Sequence, residues 1–292
     1  MAYNTRPTVR RTILGRKLTK AREAKGLSVE AVAAEAGVSD AAIYRHESGH
    51  TAVKPTMIPF YVKLYDVTDQ NEIRRWTEWA KKAKEKGPWA SSGQTIGPSH
   101  QDYADAESLS EELRIWEPVV IHGLLQTKLY SEAVIRTAAT VRPGQLPSEG
   151  AEVEDLVKLR EARKEILDRD IPPRIWAVLG ESAVRTPPTA KDPESHREQI
   201  QHLLNLGETK VTIQVLPMSS GLHVGTSGSF SIISFEDIDM VFREGYRDGS
   251  FVDEEEKVRS YRARYERLQS QALSIIDTRQ FLHETLTALN KG

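Results

Sequence analysis

Apolar residues recur at three- and four-residue intervals along the first part of this chain, then in short alternating runs farther on. Leu14, Leu18 and Ala21 stand at i, i+4 and i+7 and predict a first helix. Val29, Val32, Ala33 and Ala36 repeat at i, i+3, i+4 and i+7, so a second, shorter helix has one apolar face, with Ser28 as its N-cap. Gly37 supplies the left-handed conformation that a sharp exit requires, and Ser39 is placed to cap a third helix. In that third helix the spacing directs Val38, Ala42 and Ile43 to the core and leaves Asp40, Ala41, Tyr44 and Arg45 outward. Met57, Phe60, Tyr61, Leu64 and Tyr65 predict a fourth helix, with Pro55 and Pro59 confined to its first turn. Asp69 and Glu72 form a capping-box pattern ahead of a fifth, whose stripe is Ile73, Trp76, Ala80 and Ala83 and in which Trp76 and Trp79 are core residues.

Periodicity then stops. KGPWASSGQTIGPSHQ is rich in Gly, Ser and Pro, which marks a linker at 87–101 between a helix-turn-helix domain at 8–86 and a second domain at 102–292. Beyond it, LRIWEPVVI (113–121), RIWAVL (174–179), VTIQVLP (211–217), GSFSIISF (228–235) and DMVFRE (239–244) carry the β-branched and aromatic residues of strands. Helical stretches fall near 125–138, 148–168 and 193–207. A last one repeats Val258, Tyr261, Tyr265, Leu268 and Ala272, and Asp253 to Glu256 supply the acids that suit its start. The expected class is an all-α N-terminal domain followed by an α+β domain with a small, largely antiparallel sheet. The Gly-rich connection from VTIQVLP to GSFSIISF reads as a loop between paired strands.

Composition narrows the function classes. The 292 residues are 39% hydrophobic and 28% charged, which is ordinary globular composition. With no cysteine, a disulfide scaffold and a thiolate zinc site are excluded. No stretch approaches the ~20 apolar residues of a membrane span, and the basic N-terminus lacks the apolar core of a secretion signal, so a cytoplasmic, nucleoid-associated location is expected. Residues 1–50 hold nine Lys or Arg against five acids, a local charge of +4, whereas the rest of the chain carries −6. Positive charge is concentrated at the end with the helical pattern, as a binder of DNA requires.

Two short helices about a tight glycine turn are the means by which many proteins push a second helix into the major groove. On that geometry Asp40, Ala41, Tyr44 and Arg45 are the base-contacting residues: Arg45 suits a bidentate guanine contact, Ala41 a thymine methyl and Asp40 a cytosine amine. Ser28, Ser39, Ser48, Thr51 and Lys54, at helix starts and after the third helix, are placed to hold phosphates. The segment LGRKLTKAREAKGLSVEAVAAEAGVSDAAIYRHESG resembles the XRE-type helix-turn-helix repressors. That resemblance implies a structural ion pair between Arg22 and Glu47, joining the first helix to the end of the third. It also marks His46 as a departure from an apolar position, expected to loosen the third helix or to turn outward.

In the second domain WEPVVIHGLLQTKLYSEAVI, VLGESAVR, VTIQVLPMSSGLHVGTSGSFSIISF, VFREG and YRARYERLQSQALS follow one another in order. Together they resemble the C-terminal domain of actinobacterial WhiJ-like, or antitoxin-like, regulators, with His122 and Arg243 as departures. The resemblance implies a regulator, most simply a repressor, whose C-terminal domain binds a small protein encoded by a neighbouring gene. A small-molecule sensor and an enzyme fused to a DNA-binding module are the alternatives. An enzyme is the weaker one, because Gly225 to Ser229 lacks the last glycine of a nucleophile elbow and precedes its strand. His122, His223, Glu181 and Glu244 are the candidate ligand or partner contacts, and no histidine spacing points to a metal or other cofactor. The expected partners are a double-stranded operator and a second copy of the chain, since one small module buries little DNA surface.

Overall fold

The structure is a computed structural model that describes residues 7–83, 98–141, 151–189, 192–245 and 249–291. The chain divides into two compact units, Met1–Ala90 and Ser91–Gly292. Most of the expected linker lies outside the described residues, but its last four positions belong to a helix that starts at Pro98.

Among the described residues the first unit holds five α-helices: α1 (Val9–Ala24), α2 (Val29–Ala36), α3 (Asp40–Glu47), α4 (Ile58–Tyr65) and α5 (Gln70–Lys81). Leu14, Leu18, Val32, Ile43, Ile58, Tyr61 and Trp76 form its core, with Trp79 packed against them. Ser28 caps α2 by accepting from the Ala31 N–H, and Asp69 caps α5 by accepting from Asn71 and Glu72. Gly37 takes φ 65°, and the Val38 N–H returns to the Ala33 carbonyl, closing α2 as a Schellman turn. Ser39 occupies the cap position of α3, yet its side chain makes no capping hydrogen bond. Val38 does not enter the core: the left-handed turn at Gly37 leaves it 38% exposed at the start of α3. α1 passes close by the end of α3, because a Cβ on Gly15 would stand 2.2 Å from the Glu47 carbonyl oxygen.

The second unit carries a six-stranded sheet in the order β3-β2-β1-β4-β5-β6. Its strands are β1 (Glu112–Glu117), β2 (Arg174–Gly180), β3 (Val211–Leu216), β4 (Phe230–Phe235), β5 (Ile238–Arg243) and β6 (Ser250–Val252). The sheet is mixed rather than largely antiparallel: β1, β2 and β3 run parallel, and β1, β4, β5 and β6 pair antiparallel. The cause is connection length. The long crossovers through α7 (Lys128–Val141) and α8 (Ala151–Arg163), and through α9 (Glu181–Arg185) and α10 (Pro193–Thr209), bring the next strand back in the same direction. The tight turn at Glu236, φ 58°, reverses β4 into β5. The loop from β3 to β4 therefore does not join paired strands. It crosses beyond β2 and β1, packing Gly225 on the Trp116 ring, whose Nε1 donates to the Gly225 carbonyl at 3.0 Å.

One sheet face, with Trp116, Val178, Phe230, Ile232 and Val241, receives Val258, Tyr265 and Leu268 of α11 (Glu255–Gln271). On the other face α6 (Pro98–Leu109) lays Tyr103 flat on Phe242, ring centroids 4.1 Å apart. The final helical region is two helices: Ser274 caps α12 (Ile275–Leu289) by accepting from the Asp277 N–H. The Leu273 N–H and Thr278 Oγ1 occupy the outward carbonyl and N–H of Val215, so the β3 edge is covered.

Gly15→Ala is expected to cost about 1–3 kcal/mol, because α1 and α3 must separate to admit one methyl. The check is the denaturant midpoint of the first unit's helical signal. An unchanged midpoint would show that the crossing is not closely packed.

Candidate nucleic-acid interface and C-terminal cavity

The third helix is anchored at its end and open along its outer side. Arg22 Nε donates to Glu47 Oε1 at 2.7 Å, and Arg22 Nη2 donates to Oε2 at 3.1 Å. Thr19 Oγ1 adds a bond to the same carboxylate, and Arg22 Nη1 donates to the Leu27 carbonyl. Both side chains are nearly buried, at 12% and 7% exposure, so the pair sits where solvent screening is weak. His46 does not turn outward. Its Nδ1 lies 2.8 Å from the Tyr61 hydroxyl, and burial holds its pKa below the usual histidine range.

Asp40, Ala41, Tyr44 and Arg45 are all exposed on α3, with Tyr44 at 56%. Ser28, Ser39, Ser48, Thr51 and Lys54 are exposed at the ends of α2 and α3 and in the segment after α3. Ser28 Oγ already accepts from Ala31, and Ser48 Oγ donates to the Arg45 carbonyl at 3.4 Å. The backbone N–H of Glu30 first, and then the Ser28 hydroxyl, hold the exposed Glu30 carboxyl below its usual range. Val38, expected inside, joins this outer surface as an apolar group at the start of Tyr44's helix. Part of the basic charge of α1 serves the fold instead. Lys17 is buried against Glu72, Arg11 donates to the Ala83 carbonyl, and Arg22 is committed to Glu47.

The four C-terminal candidates do not meet at one place. Glu181 pairs with Arg185 and accepts from the Met218 N–H, which together hold its pKa low despite partial burial. His223 stands edge-on to Trp116, and its Nδ1 accepts from the Gly225 N–H at 3.1 Å. Those two residues order loops. His122 and Glu244 instead line one cavity of about 90 Å³, with Tyr103, Glu117, Arg160 and Arg163.

His122 is 4% exposed. Its Nδ1 accepts from the Leu124 N–H, so the neutral ring carries its proton on Nε2, 2.8 Å from the Tyr103 hydroxyl. Tyr103 then donates onward to Ser231 at 2.8 Å. Burial first, then the Arg163 charge, pushes the His122 pKa down to about 3. Behind it the fully buried Glu107 accepts twice from Arg163, Nε at 2.9 Å and Nη2 at 2.8 Å. Tyr103, Glu107, Glu117, Arg160 and Arg163 were not among the sequence candidates. They come from α6, β1 and α8, and no local spacing joins them; the nearest signal is Arg160 and Arg163 at i and i+3 on one helix. Among the described residues no group of three or more acidic or histidine side chains is arranged to hold a metal ion, and no helix is long and apolar enough to cross a membrane.

Residues 13–76 match a family model described as a helix-turn-helix domain, and residues 100–284 match one described as a domain of unknown function (DUF5753). No curated protein and no solved structure matches the chain. The first match covers α2, its glycine turn and α3, so the helical unit is a helix-turn-helix of the kind found in DNA-binding regulators.

Arg22→Met alone is expected to cost about 3–5 kcal/mol, and Arg22→Met with Glu47→Leu less, because the single change strands a buried carboxylate. Urea midpoints of the single and double variants decide it, and a double variant weaker than both singles would refute the stranded-charge account. For His122 the folded pKa lies below the unfolded value. Its contribution to stability is complete above about pH 6.5 and is lost progressively as pH falls toward 3. His122→Gln should flatten the acid limb of the stability profile by about 1 kcal/mol per pH unit over that window. Parallel acid limbs in variant and parent would place the histidine's titration elsewhere.

Proposed function

We propose that this chain, which belongs to the family of the domain of unknown function (DUF5753) and carries a helix-turn-helix domain ahead of it, is a sequence-specific DNA-binding transcription regulator that acts as a repressor. The observation that carries the proposal is the outer side of α3. Asp40, Ala41, Tyr44 and Arg45 are exposed there, while the end of the same helix is locked to α1 by Gly15 and by the Arg22–Glu47 pair. A helix with a fixed backbone and an unused polar and aromatic side suits the major groove, where small errors of placement forfeit bidentate contacts. Arg45 reads guanine, Ala41 meets a thymine methyl, Asp40 accepts from cytosine, and Tyr44 packs on the groove wall. Ser28, Ser39, Ser48, Thr51 and Lys54 hold phosphates on either side. A homodimer on half-sites about one helical turn apart supplies the surface that one module lacks. The location that goes with this role is the cytoplasm, at the nucleoid.

The C-terminal domain is the regulatory part in this proposal and carries no catalysis. Its likeness to WhiJ-like, antitoxin-like regulators supports a small partner protein as the modulator. The polar cavity at His122 and Glu244 favours a second reading, a small molecule as the signal.

Fluorescence anisotropy with double-stranded DNA from the chain's own promoter region tests the proposal. Binding should weaken steeply with salt, and Arg45→Ala should cost about 1–3 kcal/mol on the preferred site while relaxing one base position. An equal loss on every sequence would make Arg45 a phosphate contact, and no salt-sensitive retention at all would overturn the DNA reading.

A further inference from the structure

The cavity between the ends of β1, β4 and β5 and helices α6 and α8 holds ionisable groups whose hydrogen-bonding capacity the fold only partly uses. Arg163 is paired with Glu107 through two hydrogen bonds. Arg160, three residues earlier and half-buried, makes one hydrogen bond, from Nη1 to Gln126 Oε1 at 3.0 Å, and has no carboxylate within ion-pair distance among the described residues. Glu117, half-buried at the end of β1, has neither a hydrogen bond nor an ion pair among the described residues. The charge that acts on it is another carboxylate, Glu244, which has His100 at 3.7 Å and is held below the usual carboxylate range by that histidine first and, more weakly, by His122 and Arg160. Desolvation and that neighbour lift the Glu117 carboxyl well above the usual range. Desolvation first, then Arg163, lower the Arg160 guanidinium to about 10 against the opposing pull of Glu244. Glu117 therefore has no counter-charge and is pushed toward its neutral form, and Arg160 has only the distant Glu244 against it, so both keep hydrogen-bonding capacity that the fold does not use.

We propose that this cavity binds a small zwitterion bearing one carboxylate and one ammonium, on the scale of a short amino acid. The carboxylate takes the unused N–H fork of Arg160. The ammonium lies between Glu117 and Glu244, and Val120 and Phe242 form the apolar wall against the short carbon chain. A cavity of about 90 Å³ admits only the smallest members of that class, having room for about three liquid waters. A simple anion would meet the two carboxylates, and a simple cation would meet Arg160; only a ligand carrying both charges matches both ends. The proposal rests on the regulatory reading of the C-terminal domain for its meaning in the cell, not for the binding itself.

Isothermal titration calorimetry on the full chain without DNA tests it, with glycine, β-alanine and 4-aminobutyrate as probes of charge spacing and acetate and methylammonium as the separated halves. One zwitterion should bind at one site per chain, with each half at least about a hundredfold weaker. Glu117→Gln and Arg160→Gln should each weaken that binding by about tenfold or more. Glu117→Gln should also leave the thermal midpoint unchanged or raised, since it removes an unmatched carboxyl while keeping its shape. No heat from any probe at about a hundredfold excess over the chain overturns the proposal. So does either half binding as tightly as the whole, or Glu117→Gln leaving affinity intact or destabilising the fold. DNA binding is measured separately by anisotropy, so a failed titration leaves the DNA reading standing, and failed anisotropy leaves the titration interpretable.

Discussion

The Arg22–Glu47 pair holds the end of α3 against α1, and the presentation of everything on α3 depends on it. The bond is geometric before it is energetic. A planar guanidinium donating twice to one carboxylate fixes both distance and direction, which a single apolar contact does not. Gly15 makes the arrangement possible, since any side chain there would run into the Glu47 backbone before the pair closed. The carboxylate is also tied by Thr19 and the guanidinium by the Leu27 carbonyl, so neither partner is left with its polar atoms bare in a poorly solvated site. With its end fixed, α3 can leave Asp40, Ala41, Tyr44 and Arg45 free of structural duty.

The second unit uses the same chemistry more deeply. Glu107 and Arg163 form a fully paired bidentate contact beneath the sheet, and the neutral His122 and Tyr103 relay the hydrogen bonding to Ser231 on β4. That chain links α6, α8 and the sheet through polar groups whose partners are fixed by geometry. Beside it, Arg160 and Glu117 stand in the same cavity without such partners. The contrast between neighbours three residues apart on α8 separates what the fold consumes from what it leaves available.

Much of the first unit was legible in the chain. The i, i+3, i+4, i+7 stripes marked its helices, Gly37 marked the turn, and Ser28 and Asp69 marked caps that form in the structure. Each is a local signal, carried by residues a few positions apart. Ser39 does stand at the cap position of α3, without a side-chain bond, whereas Val38 was misread because its direction depends on how the turn at Gly37 aims the next helix, and a left-handed turn aimed it outward. In the second unit the strand runs were visible, but the direction of pairing was not. Alternation along a strand reports which face is buried and says nothing of the neighbour's polarity. β6 was missed because three residues are too short to show a period.

By itself the sequence determined the helix-turn-helix, the concentration of basic charge near it and the mixed helix and strand content beyond it, because those properties are written in short-range spacing. Tertiary structure alone decided that three strands run parallel, that His122 turns inward to Tyr103, and that Arg160 faces a cavity with Glu117. Those outcomes join residues that belong to different elements and lie well beyond one helical turn or one hairpin of each other. They are set by which crossovers fit over a twisted sheet and by where buried charges find partners, and no local pattern encodes either.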